Sequence, residues 1–131
     1  DARKAIGEAA RVLSPGGTCL IQLPNTFGLR CLYHQARRRF RRPRDFEVRY
    51  WTLSSLRKTF ESLIGKTNLL VDCYFGIGLQ ATDIHMMPFV KRSLIRASEL
   101  GKRLSRRVSF LTAMADSIWV KSTKTDGSIE Q

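Results

Sequence analysis

The stretch from Glu8 to Asn25 constrains the fold more than any other part of the chain. Ile6, Ala9, Ala10 and Leu13 recur at helical spacing and give a helix one apolar face, with Arg3, Lys4, Glu8 and Arg11 on the remainder. Pro15 cannot continue that helix, and Gly16 or Gly17 can take the left-handed backbone that a helix end needs. Cys19 to Leu23 is nearly all apolar and has the length of a short strand. A strand without alternation is expected to be buried on both faces, as in a parallel sheet. Helix, tight turn and buried strand together predict an open α/β sheet.

The pattern beyond Asn25 predicts the remaining elements. Asn25 or Thr26 is placed to cap a helix whose apolar stripe is Phe27, Leu29, Leu32, Tyr33, Ala36 and Phe40. That stripe runs into the basic segment Arg37 to Arg44, and Pro43 ends it. Residues 45–51 form a connection. Thr52 or Ser54 caps the next helix, with Leu53, Leu56, Phe60, Leu63 and Ile64 inward and Gly65 closing it. Leu69 to Phe75 reads as a strand, and Gly76 to Pro88 as mostly irregular. Apolar residues from Phe89 to Leu104 mark one or two amphipathic helices, with Gly101 a candidate break. Phe110, Leu111 and Met114 extend the helical layer, Ser117 to Lys121 is the final strand, and 125–131 is a frayed tail.

Composition bounds the class. A hydrophobic content of 43% in 131 residues is enough for the core of one domain, and no apolar run is long enough to span a bilayer. Cys19, Cys31 and Cys73 are odd in number and show no paired spacing, which points to a reducing, cytoplasmic setting without structural zinc. The balance of 23 Lys and Arg against 11 Asp and Glu gives +12 and favours anionic partners.

Arg11-Val12-Leu13-Ser14-Pro15-Gly16-Gly17 resembles the segment before the fifth strand of class I S-adenosylmethionine-dependent methyltransferases. That family reads arginine, two apolar residues, any residue, then Pro-Gly-Gly and a strand. Pro24-Asn25 is similar to the strand end that opens toward its active site. The resemblance covers residues 1–124 and implies the C-terminal portion of a partial Rossmann-like methyltransferase sheet, with its last two strands antiparallel. Residues 26–50 and 76–116 fall where the family inserts lid helices over the acceptor. The glycine-rich loop and the acidic ribose ligand of the family's first half have no counterpart here. Gly76-Ile77-Gly78 follows a late strand and reads as a turn or bulge. The resemblance therefore implies that S-adenosylmethionine is held mainly by a preceding half, and that this chain alone is inactive.

No nucleophile–base–acid arrangement identifies a catalytic residue, and none of the spacings makes a metal site. Asn25 and Phe27 are the expected residues of the active-site edge. His34, Arg37, Arg38, Arg41, Tyr50 and Trp51 are the expected acceptor-side residues, because arginine forks suit phosphate and carboxylate oxygens and the aromatics suit an apolar body. The bland reading of the same arginines is a solvated helix end, and that of Tyr50 and Trp51 a hydrophobic anchor before a helix. Asp83-Ile84-His85 reads as a loop histidine rather than a general base. The acceptor is expected to be a small molecule, lipid-like or anionic. The competing reading is a noncatalytic basic module. In it, the helices carrying Lys91, Arg92, Arg96, Lys102, Arg103, Arg106 and Arg107 contact an anionic membrane surface or nucleic acid.

Overall fold

The computed structural model describes residues 2–41, 48–78 and 81–125, the side chains of 81–83 excepted. Helix α1 (Ala2–Val12) leads into strand β1 (Thr18–Pro24), followed by α2 (Leu29–Arg37) and α3 (Leu53–Leu63). Strand β2 (Gly65–Cys73), a 3-10 segment (Ala81–Met86), α4 (Phe89–Ser105), α5 (Ser109–Met114) and β3 (Ser117–Lys124) complete the order. The fold is mixed α/β around a small antiparallel sheet of three strands in the order β1-β3-β2. Both outer strands are antiparallel to β3, so β1 and β2 point the same way.

The Pro-Gly-Gly signal is realised as a turn. Gly17 N–H donates to Ser14 O at 2.8 Å, and Gly16 takes φ +72°, which places Pro15 and Gly16 at the two central positions. Lys124 ties this turn to the far end of β3. Its N–H donates to Gly17 O, and its Nζ donates to Ala10 O at 2.7 Å and Leu13 O at 2.8 Å. A cation on the last carbonyls of α1 satisfies groups that the helix cannot, and opposes its dipole.

One sheet face is packed and the other is open. Ile6 and Ala10 from α1, Leu56 and Phe60 from α3, and Val120 from β3 form the main core, joined by Cys19, Ile21 and Leu23 from β1. A second cluster of Tyr74, Ala115 and Ile118 lies toward α5. On the opposite face Leu20 is 56% exposed and Leu70 52%. Beside them Gln22 Nε2 donates to Asp72 Oδ2 and Ser117 Oγ, and Trp119 Nε1 donates to Asp72 Oδ1. The expectation that β1 is buried on both faces is therefore corrected. Its residues alternate between the core and an open face, as antiparallel strands do.

Local backbone explains the other departures. Gly65 was expected only to close α3, yet it also starts β2. Its φ of +143° turns helix into strand in one step, and a Cβ there would lie 2.6 Å from Thr123 O. Phe75 lies beyond the strand rather than in it, at φ 57°. Gly101 does not break α4; it lets the helix approach the Tyr74 ring, which a Cβ would meet at 2.9 Å. The cap of α2 is Gly28 rather than Asn25 or Thr26, and its side-chain acceptor comes from Asp116.

Candidate functional site

The carboxyl end of β1 is organised by two buried polar residues. Asn25 is fully buried, and its Nδ2 donates to Ala113 O at 2.7 Å and Ala115 O at 2.8 Å. Its Oδ1 accepts from Phe27 N–H, and its own N–H donates to Asp116 O. Asp116 is 3% exposed. Its Oδ1 accepts from Arg30 N–H at 2.6 Å and Cys31 N–H at 3.1 Å, and its Oδ2 accepts from Gly76 N–H at 2.8 Å. One carboxylate thus caps α2 and fixes the turn after β2. Gly28 is required beside it, since a Cβ would fall 2.5 Å from Asp116 Cα. The burial of Cys31 and the nearby Asp116 push the Cys31 thiol up to about 11. Burial, with Asp72 and Asp116 adding to it, pushes Cys73 up to about 12. Both thiols are protonated and unreactive at neutral pH.

A cavity of about 480 Å³ opens next to this hub, between the end of α2 and residues 49–51. Trp51 forms its floor by pairing with the end of β1. Trp51 N–H donates to Pro24 O at 3.1 Å, and Thr26 N–H donates to Trp51 O at 2.8 Å. Gln35 Nε2 donates to Thr26 O at 2.7 Å and fixes the last turn of α2 against that floor. The chain then reverses sharply. Arg39 and Phe40 sit at φ 52° and 54°, with Arg39 N–H donating to Ala36 O and Phe40 N–H to Gln35 O. Two successive left-handed residues without glycine cost about 1–2 kcal/mol each. The reversal is what returns Phe40 and Arg41 to the cavity wall.

The cavity's chemistry is cationic and aromatic. Arg38, Arg41 and Arg49 line it together with Phe40, Tyr50 and Trp51. The Arg38 guanidinium lies 5.5 Å from the centroid of the Tyr50 ring, a cation–π arrangement that holds its fork in place. Arg38 and Arg41 have other interactions as well. Burial pushes the Tyr50 phenol up, against a lowering by Arg38, so it stays a hydrogen-bond donor at neutral pH. Such a site can hold an anionic group by its arginines and an apolar body by its rings.

Of the expected acceptor-side residues, Arg38, Arg41, Tyr50 and Trp51 come together here. His34, Arg37 and Phe27 do not line the cavity. His34 Nε2 accepts from Arg30 Nε at 3.3 Å, its ring meets Tyr33 edge-on, and Arg37 lies over the Tyr33 ring. Phe27 is exposed, and Asn25 has its amide fully engaged within the fold. Arg49 and Gln35 were not foreseen, although Arg49 directly precedes Tyr50 and Trp51 and continues the basic composition. Arg42 and Arg44 of the basic run, and the Asp83 side chain, lie outside the described residues; His85 is exposed. The Gly76–Gly78 turn borders a separate cavity of about 270 Å³ with Met87, Lys91 and Ile95. Among the described residues no group of three or more His, Cys, Asp or Glu converges as a metal site, and no helix is long and apolar enough to cross a membrane. No known family model matches the sequence, and no curated protein matches it.

Proposed function

We propose that this chain supplies the acceptor side of an S-adenosylmethionine-dependent methyltransferase, with the cofactor held mainly by residues that precede it. The observation that carries the reading is the placement of the arginine–aromatic cavity at the carboxyl end of β1. In open α/β sheets, ligands bind outside the carboxyl ends of the strands. The sheet supports the same reading. Strands β2 and β3 are the antiparallel pair at one edge, and β1 runs parallel to β2. From Thr18 to Leu23 the other edge of β1 has no strand partner among the described residues, and Leu20 and Leu70 lie on an open face. Further strands and helices of a larger sheet would cover both.

In this reading the residues here position rather than activate. The arginines hold an anionic group of the acceptor, Tyr50, Trp51 and Phe40 enclose its apolar part, and the acceptor atom is presented to the methyl donor. Alignment of two bound reactants removes much of the entropic barrier to transfer. The test is a chain extended upstream to include a glycine-rich loop, titrated with S-adenosylmethionine and assayed for transfer of a labelled methyl group. Saturable binding and label transfer are expected. An extended chain that has the loop and binds no cofactor would refute the proposal.

A further inference from the structure

Helix α4 is amphipathic twice over. Its inner face holds Ile95, Ser98 and Ser105, all buried. Ser98 Oγ accepts from Tyr74 N–H at 3.0 Å, and Gly101 admits the Tyr74 ring. The outer face is apolar too, which a solvated helix has no reason to be. Phe89 is 79% exposed, and Val90, Leu100 and Leu104 are also exposed. At 100° per residue Phe89, Leu100 and Leu104 fall on one stripe along about 25 Å of helix. Met86 before the helix, and Val108 and Phe110 after it, are exposed as well.

Cations flank that stripe. Arg96 and Arg103 lie seven residues apart along one side, and Arg107 follows in the turn after the helix; all three are exposed. Arg92 is used differently, donating to Met87 O and His85 O to hold the turn before the helix. The one acid of this segment, Glu99, is 3.8 Å from Lys102. From Phe89 to Met114 the sequence has seven Lys or Arg and that single acid.

We infer that the outer face of α4, aided by the exposed Met86, Val108 and Phe110 that flank it in sequence, docks on an anionic lipid surface. The stripe enters the boundary between headgroups and acyl chains, and the arginines stay at the level of the lipid phosphates. Only a surface with anionic groups outside and hydrocarbon a few ångströms beneath satisfies both features. Nucleic acid would neutralise the cations but leave Leu100 and Leu104 against a polar backbone. Basic amphipathic helices of this composition lie in the interface plane, driven by apolar burial and by attraction to anionic lipid. The inference is independent of the methyltransferase reading, because none of these residues lines the Arg38–Tyr50 cavity.

The test is co-sedimentation of the full chain with vesicles of phosphatidylcholine alone and of phosphatidylcholine with phosphatidylglycerol. Binding is expected only to the mixed vesicles, and it weakens as salt rises. Replacing Arg96, Arg103 and Arg107 together by Gln is expected to weaken partition by about 100-fold. The pair Leu100→Ser and Leu104→Ser is expected to cost about 100-fold as well. These side chains are exposed, and an unchanged circular dichroism spectrum separates lost docking from lost fold. A Phe89→Trp variant is expected to shift its emission to the blue on the mixed vesicles. Three results would overturn the inference: no binding to mixed vesicles at low salt, an unshifted Phe89→Trp emission with unaffected leucine variants, or capture by duplex DNA without capture by vesicles.

Discussion

Two polar regions meet at the end of β1, and they differ in what their polarity is for. Around Asn25 and Asp116 every side-chain donor and acceptor is matched within the fold, and both residues are buried. Around Arg38, Arg41 and Arg49 the polar groups line a cavity open to solvent, and a strained turn at Arg39 and Phe40 shapes its wall. The first region joins β1, β2, β3 and α2, so its loss should be felt as stability. The second should be felt as binding. A polar residue next to a site is therefore not a site residue by virtue of its place; whether its side chain is enclosed in the fold or faces the cavity decides.

The largest expected effect is on the hub. Asp116→Ala removes the acceptor of three backbone N–H groups. An unsatisfied buried donor costs about 1–3 kcal/mol, and here the Cys31 N–H is buried and those of Arg30 and Gly76 part-buried, so a loss of about 3 kcal/mol is expected in urea unfolding. An unfolding midpoint unchanged by that substitution would break the comparison at its first half. Gly28→Ala forces backbone against Asp116 Cα and is expected to cost about 2–3 kcal/mol by the same measurement. Asn25→Ala leaves two carbonyls and one N–H without partners, for about 2 kcal/mol.

The buried thiols test the hub through pH. Folding raises the values of Cys31 to about 11 and Cys73 to about 12 from an ordinary 9.0. A group that holds its proton more tightly when folded contributes stability in full below its unfolded value. That contribution is lost as pH rises through the folded value. Stability is therefore expected to fall between pH 9 and 12, and Cys31 and Cys73 should resist a maleimide at pH 7.5 until the chain is unfolded. Rapid labelling of Cys31 in the native protein would contradict the packing of the hub. The smallest effect on stability is expected in the cavity. Arg49→Gln should move the urea midpoint by no more than about 0.5 kcal/mol, because the residue is exposed.

How much of this was legible in the sequence follows the range of the interactions. The helix-turn-strand at the start was readable because Pro15 and Gly16 act on their own backbone. The inward positions of α3 were readable from spacing, and Leu56, Phe60 and Ile64 are indeed buried. The role of Asp116 was not readable, since its partners Arg30 and Cys31 are 86 and 85 residues away. The open face at Leu20 was hidden for a related reason, because an apolar strand looks the same whether one face or two are covered. Of the cavity, Arg38, Arg41, Tyr50 and Trp51 were chosen for their chemistry. Arg49 and Gln35 needed the geometry of the reversal at Arg39 and Phe40, which residue types alone do not announce.

The division between a satisfied hub and an open cavity, and with it the proposal that this chain supplies the acceptor side, is tested most directly by calorimetry. The 131-residue chain and its Arg49→Gln variant are titrated with hexyl phosphate and with S-adenosylmethionine. Saturable binding of hexyl phosphate is expected, weakened about tenfold in the variant by loss of a charge-assisted hydrogen bond, with no saturable binding of the cofactor. Micromolar cofactor binding by this chain, or hexyl phosphate binding indifferent to Arg49, would contradict it.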